Sequence, residues 1–268
     1  MTTGALIFAF NNELTDYVRM ASWSADRIRK HLGIPVAVVT DCTDQSKLTN
    51  FDQVIHADPS SGGTRYFDDY RDTITWYNAG RIDAYNLSPW DQTLVLDADY
   101  VVCSNMLRSV INSKQDFMCH RLAWDVTNTT TFDGLNHIGN YHMPMWWATV
   151  MMFRKSNTAQ CIFDCMSMIK ENWKHYKDLY HIISSNYRND YALSIAIGIE
   201  SGHTLQINNI PWDLPSVLPQ HQLTQISQDQ FQIQFLDVDN KPKFITWQDM
   251  DFHAMGKKYL GDIVANPC

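Results

Sequence analysis

Two carboxylates one residue apart interrupt an apolar stretch in the middle of this sequence, Thr93-Leu94-Val95-Leu96-Asp97-Ala98-Asp99-Tyr100-Val101-Val102. Pro89 and Asp91 before it and Ser104 and Asn105 after it bound a buried strand that ends at the carboxylates. Burying Asp97 and Asp99 without partners is costly. A divalent cation removes that cost. Hard ions such as Mn²⁺ or Mg²⁺ take oxygen ligands and keep positions open for phosphates. Without such chemistry the same residues are turn formers or a helix cap.

Other residues of the right type lie far away. His253 and Gly256 are followed at once by Lys257 and Lys258, an imidazole beside two cations. In the ordinary case such a histidine is an exposed polar residue and a lysine pair is a solvated patch. Arg65 and Arg71 sit near a flexible Ser60-Ser61-Gly62-Gly63-Thr64-Arg65 loop upstream of the acidic strand, where they are candidates for phosphate contact. Most such arginines, Arg81 included, pair instead with surface carboxylates. Asp190 falls in the first turn of a helix that starts near Asn189, where a carboxylate also serves the helix dipole. Residues 122–145 form a long irregular segment, expected to bind an acceptor or act as a lid. It carries Asp125, Asp133, His137 and His142, without the tight spacing of a metal site.

Regular elements must position these groups. Residues 5–10 form a first strand. A helix follows whose apolar residues Leu14, Tyr17, Val18, Ala21, Ala25, Ile28 and Leu32 share one face. Gly33 suits its C-cap, Pro35 stops it, and Val36-Ala37-Val38-Val39-Thr40 is a second, fully buried strand. Strand, helix, strand within forty residues predicts a βαβ unit and a parallel sheet. Further strands are expected at 53–56, 116–120, 146–154 and 204–207, and helices at about 72–87, 105–112 and 156–180. The Pro/Trp-rich stretch 211–219 reads as a loop. Phe231–Leu236 and Lys243–Trp247 alternate around Asp239-Asn240-Lys241-Pro242, the pattern of an antiparallel hairpin.

The bulk properties exclude several classes. A net charge of −8 over 268 residues argues against a general electrostatic grip on nucleic acid or anionic lipid. No stretch approaches the roughly 18–20 apolar residues of a membrane-spanning helix. The apolar start Ala5–Phe10 lacks the basic flank of a signal peptide. The six cysteines show no zinc spacing; Cys161 and Cys165 share a helical face as an expected buried thiol pair, and a cytoplasmic location fits. There is no G-x-G-x-x-G turn and no Walker loop, so any phosphate must be held by other means. Without repeats or linkers, residues 1–268 read as one domain, with a nucleotide-binding half of about 1–104 and an acceptor-side half of about 105–268.

The order of these features, a βαβ opening, Leu96-Asp97-Ala98-Asp99 after a strand and a terminal His253-x-x-Gly256-Lys257, resembles nucleotide-sugar glycosyltransferases of the GT-A fold. It is most similar to the family-8-like retaining enzymes, the glycogenin and bacterial galactosyltransferase group. The resemblance implies one Rossmann-like α/β domain, a mostly parallel sheet flanked by helices with a small antiparallel hairpin near the C-terminus. It implies Mn²⁺ (or Mg²⁺) on Asp97, Asp99 and His253, bridging the diphosphate of the donor. Gly256 and Lys257 or Lys258 would contact phosphate, and Asp190 would face the transferred sugar. The sequence departs from that family in its lysine spacing, in Tyr259-Leu260 where the family has Pro-Trp, in Trp147-Ala148-Thr149 where it has Asn-x-Gly, and in Asp190-Tyr191 where it has an acidic-Gln pair.

The expected activity is therefore metal-dependent transfer of a sugar from a nucleoside-diphosphate sugar, with retention at the sugar. An inverting route would require a base among Asp190, Asp125 and Asp133. The acceptor is open: a glycan, a protein, a small molecule or, disfavoured by the acidic charge, a nucleic-acid base. Trp124, Trp146, Trp147 and Trp212 are candidates for stacking on sugar rings or bases. Two other readings remain at this point. A sugar-phosphate nucleotidyltransferase would open with a Gly-rich basic loop, which Phe8-Ala9-Phe10-Asn11-Asn12-Glu13 is not. A non-catalytic glycan- or protein-binding module would have no use for the acidic pair and His253.

Overall fold

The computed structural model describes residues 1–268 except 69, 78, 185, 205–208, 267 and 268. The chain opens as its hydrophobic pattern predicts. Strand β1 (Thr3–Phe8) leads into helix α1 (Tyr17–Leu32), which starts where the Asp16 carboxylate accepts the Arg19 N–H at 3.0 Å. Val18, Ala21, Ala25, Ile28 and Leu32 form its buried stripe, and Leu14 lies before it. Gly33 ends it at φ +69°, a backbone shape that favours glycine. Strand β2 (Val36–Thr40) then pairs parallel to β1, with Ala5 opposite Val36. A one-turn helix α2 (Gln45–Leu48) and strand β3 (Gln53–His56) follow.

Residues 72–87 are not the expected helix. Strands β4 (Gly63–Phe67) and β5 (Asp72–Trp76) pair as an antiparallel ribbon. Only then does the chain coil, through a 3₁₀ turn (Ala79–Asp83) and helix α3 (Ala84–Leu87). Thr73-Ile74-Thr75-Trp76 is β-branched and aromatic, and that local preference overrides the loose apolar spacing beyond it.

Strand β6 (Gln92–Leu96), buried throughout, delivers the acidic pair. Strand β7 (Tyr100–Val101), helix α4 (Leu107–Ile111) and strand β8 (Phe117–His120) come next. The long 122–145 segment holds strand β9 (Ala123–Asp125), a 3₁₀ turn (Asp133–Leu135) and the short pair β10 (His137–Ile138) and β11 (Met143–Pro144). After β12 (Trp147–Arg154), Ser156 Oγ caps α5 (Asn157–Glu171) by accepting the Ala159 N–H at 3.3 Å. The expected helix to about 180 breaks at Asn172, and α6 (Trp173–Leu179) carries Trp173 and Tyr176 half-buried, off the core stripe. Helix α7 (Asn189–Glu200) begins as expected. The strand expected over 204–207 falls largely on residues outside those described.

The Pro/Trp-rich stretch contains a strand, β13 (Leu214–Val217). Strands β14 (Gln222–Ile226), β15 (Gln230–Leu236) and β16 (Pro242–Gln248) form an antiparallel sheet, so the expected hairpin gains a third strand. A bulge between Leu223 and Gln225 spoils the two-residue alternation that would have marked it. Strand β17 (Phe252–Ala254) and helix α8 (Lys257–Ala265) complete the described chain.

The main sheet has the order β3-β2-β1-β6-β12-β8. Its first four strands are parallel, and β12 runs antiparallel to both β6 and β8. This is the expected mostly parallel α/β sheet. A second sheet, β7-β17-β13-β9, continues from the end of β6. The described cysteines are free, and Cys161 is exposed with Cys165 half-buried, so they are not the expected buried pair. Among the described residues no helix is long and apolar enough to cross a membrane.

Candidate functional site

Asp97 and Asp99 occupy the step between the two sheets. Leu96 ends β6, and Tyr100 begins β7. The Asp97 N–H donates to the Thr149 carbonyl of β12 at 3.0 Å, and the Asp97 carbonyl accepts the Tyr100 N–H at 3.0 Å. These bonds fix a tight turn with both carboxylates on it. The distant histidine arrives by strand pairing, since β17 lies antiparallel to β7 with His253 opposite Tyr100. The Ala254 N–H donates to the Asp99 carbonyl at 3.0 Å. Backbone bonds thus hold residues 97–100 against residues 252–254.

The side chains converge accordingly. Ligand atoms of Asp97, Asp99 and His253 lie within 4.8 Å of one another. His253 Nε2 is 3.6 Å from Asp99 Oδ2, while its buried Nδ1 has no hydrogen-bond partner. Two carboxylates and one imidazole are a donor set suited to Mn²⁺, and the residues present fit a divalent cation. Burial, only partly offset by Asp99, holds the His253 imidazole below its usual pKa, which favours the neutral ring that a metal requires.

Each carboxylate also meets a protein cation. Asp97 pairs with Arg81, Asp99 with Lys257, and Asp190 with Arg188 at 2.8 Å. Burial opposes ionisation of Asp99, but Lys257 and His253 outweigh it and hold the carboxyl well below the usual range. Burial likewise opposes ionised Asp190, and Arg188, the Ala148 N–H and Arg81 outweigh it. Asp190 Oδ1 accepts the Ala148 N–H at 3.0 Å, which docks the start of α7 on β12. Arg81, pushed down to about 10 by burial, stays cationic at neutral pH.

These groups line one cleft of about 1080 Å³, its open mouth included. Phe8, Phe10 and Tyr17 from the β1–α1 region, Tyr66 and Trp76 from the ribbon, Tyr77 just after it, and Trp147 give it aromatic walls. Such faces stack on bases and sugar rings. Asp68, Asp97, Asp99 and Asp190 balance Arg65, Arg81, Arg188 and Lys257, so its formal charge is zero with His253 neutral.

Of the residues singled out in the sequence, Asp97, Asp99, Asp190, Arg65, His253 and Lys257 line this cleft. The others do not. Gly256 is buried as the N-cap residue of α8, and Lys258 is exposed on that helix. Arg71 sits at the exposed turn of the ribbon with φ +55°. Asp133, His137 and His142 are exposed on the 122–145 segment. Asp125 is closed into a buried network with Thr127, Thr129 and His221. Trp124 packs edge-on against Trp247, and Trp146 is buried beneath Arg121. Trp147 is the one of the four tryptophans in the cleft lining.

Two arginines that pair with the site carboxylates were missed by pattern. Arg188 adjoins Asn189 and Asp190 in sequence, a hint that a charge pair would open the helix. Arg81 gave no such hint. Its surface reading is wrong, for Arg81 is buried at 3% exposure beneath the acidic turn.

No protein-family model matches the sequence, and no curated protein is significantly similar to it. Solved structures do resemble it. The galactosyltransferase LgtC, in complex with donor and acceptor sugar analogues, matches over 72% of this chain and 70% of its own, with 11% identity and a TM-score of 0.50. Mouse xyloside xylosyltransferase 1 matches over 79% and 87% of the two chains, with 12% identity and a TM-score of 0.47. The glycosyltransferase GlyE of Streptococcus pneumoniae matches over 78% of this chain but 45% of its own, with 11% identity and a TM-score of 0.45. The LgtC match shows the fold, which is GT-A.

Proposed function

We propose that this protein is a glycosyltransferase that moves a sugar from a nucleoside-diphosphate sugar to a hydroxyl-bearing acceptor, assisted by Mn²⁺ or Mg²⁺. The observation that carries this reading is the meeting of Asp97, Asp99 and His253, from segments some 150 residues apart in sequence, within 4.8 Å in the cleft. The charge balance supports it. A neutral cleft has no net attraction for a diphosphate, and a bound divalent ion would make the site attract one.

When bound, the ion supplies a Lewis acid for the negative charge that develops on the leaving diphosphate. Asp97, Asp99 and His253 would hold it. Arg81 and Lys257 sit beside those carboxylates and would add positive charge in the same place. The aromatic walls would orient the base and sugar rings. Arg65 lines the mouth and would contact phosphate. Asp190, bonded to Arg188, would face the sugar.

Retention is the outcome we infer. A base that activates an acceptor needs a pKa close to the working pH. Asp190 is held low by its partners and is a poor base. The leaving phosphate oxygen can take the acceptor proton instead. The first test is thermal unfolding against a panel of nucleotide sugars, with and without Mn²⁺, repeated on Asp99→Asn. One donor should stabilise the wild type only when Mn²⁺ is present, and the variant should lose the effect. Absence of donor binding and of Mn²⁺-dependent hydrolysis across the panel would remove the enzymatic reading.

A further inference from the structure

Lys257 is turned inward. Its ammonium contacts Asp99 Oδ2 and donates to the Ala254 carbonyl at 3.2 Å. The side chain is 12% exposed. His253 Nε2 lies 3.6 Å from the same carboxylate oxygen. The candidate metal-ligating imidazole and the lysine therefore meet the same oxygen of Asp99.

Arg81 stands in a similar relation to Asp97 but cannot leave. Its side chain is 4% exposed, and its guanidinium also donates to the Ala148 carbonyl at 2.7 Å. Lys257 differs in chemistry and position. It is the first residue of α8, it lines the cleft, and its four-carbon stem can swing through the open space in front of Asp99.

We propose that Lys257 is a displaceable counter-ion that makes divalent-metal binding and diphosphate binding depend on each other. The proposal rests on the metal reading of Asp97, Asp99 and His253. An ammonium and a divalent ion repel strongly when both press on one buried carboxylate. The ion can take Asp99 only if Lys257 moves off it. In a cleft without phosphate, the displaced ammonium stays near the ion without an anionic partner, and metal binding is weakened. A diphosphate in the cleft gives that ammonium an acceptor. Metal then binds more tightly, and by linkage the diphosphate does too. The protein would hold little metal on its own and take it up together with its donor. Between turnovers Lys257 would keep Asp99 compensated.

The test is a titration with Mn²⁺ alone, reading free Mn²⁺ by its electron paramagnetic resonance signal, on wild type, Lys257→Met, Lys257→Arg and the double variant Lys257→Met/Asp99→Asn. The expected result is Mn²⁺ affinity roughly tenfold higher in Lys257→Met than in wild type, within the usual range of coupling between sites. Lys257→Arg, which keeps the charge, should remain weak, and the double variant should lose the gain. Lys257→Gln replaces Lys257→Met if the latter does not fold. Equal or weaker Mn²⁺ binding in the neutral variants, with binding still lost in the double variant, overturns the counter-ion role and leaves the metal site standing. Failure of every protein to bind Mn²⁺ removes the metal reading and this proposal with it.

Discussion

Arg81 forms an ion pair with Asp97 in which the arginine side chain is 4% and the aspartate 15% exposed. Burial has already pushed the arginine down to about 10, so the guanidinium depends on nearby carboxylates for compensation. Removing one member of such a pair leaves a buried charge alone, at about 3–5 kcal/mol. Arg81→Met should therefore be strongly destabilised in thermal unfolding. Asp97→Asn in that background should recover part of the loss, because no uncompensated carboxylate remains. Mn²⁺ should also raise the melting temperature of Arg81→Met more than that of wild type. A double variant no more stable than the single one would show that the pair is not the cause.

On the proposed reading, Asp190 should separate binding from chemistry. In Asp190→Asn the side-chain oxygen can still accept the Ala148 N–H, which holds α7 on β12 at 3.0 Å. The fold should survive at some cost in stability, because Arg188 loses the charge it pairs with at 2.8 Å, while the negative charge proposed to face the sugar is removed. Losing one charge-stabilising group in an active site slows turnover by about 10²–10³-fold. The expected split is a fall of that order in kcat with nucleoside-diphosphate affinity within about twofold of wild type. An equal fall in affinity would place Asp190 in donor binding instead.

What was legible follows from how far each signal reaches along the chain. The βαβ opening was readable because α1 has one buried stripe and Gly33 needs its positive φ. Asp97 and Asp99 were readable because they follow an unbroken buried strand. The pairing of His253 with Tyr100 was not, since β7 and β17 have only two and three residues and show no periodicity. Resemblance to a family supplied His253 where pattern could not. Arg81 failed for a related reason. Nothing local marks an arginine as buried when its partner is 16 positions away and its second acceptor, Ala148, is 67 positions away. Helix α5 was readable from its cap and stripe, but its end at Asn172 was hidden because Trp173 and Tyr176 continue the apolar spacing.

The two ribbon arginines give a contrast within one element. Arg65 lines the cleft, whereas Arg71 occupies the exposed turn. Arg65→Ala should weaken nucleoside-diphosphate binding by roughly tenfold, the loss expected of a hydrogen bond to a charged group. Arg71→Ala should leave binding unchanged and alter stability by no more than about 0.5 kcal/mol. Calorimetric titration of both variants decides this, and equal losses would show that the ribbon turn reaches the ligand.

Asp125 is a structural carboxylate, and its pH dependence should show it. Its Oδ2 accepts the Thr127 hydroxyl at 2.7 Å, the Thr129 hydroxyl at 3.0 Å and the Thr129 and Thr130 N–H groups at 3.1 Å. Burial opposes the charge, but the His221 contact and these donors outweigh it and hold the carboxyl far below its usual range. A group whose pKa is lower folded than unfolded stabilises the fold above its unfolded value, and that contribution fades as pH falls toward the folded value. Asp125→Asn turns an acceptor into a donor among groups that already donate, at roughly 2–4 kcal/mol. The melting temperature should drop by about 5–10 °C at pH 7. Below about pH 4 the wild type begins to lose what the variant never had, so the two curves should converge as pH falls. Curves that stay parallel from pH 7 to pH 3 would mean that the Asp125 charge contributes nothing to folding, and that the threonines are held by the neutral form equally well.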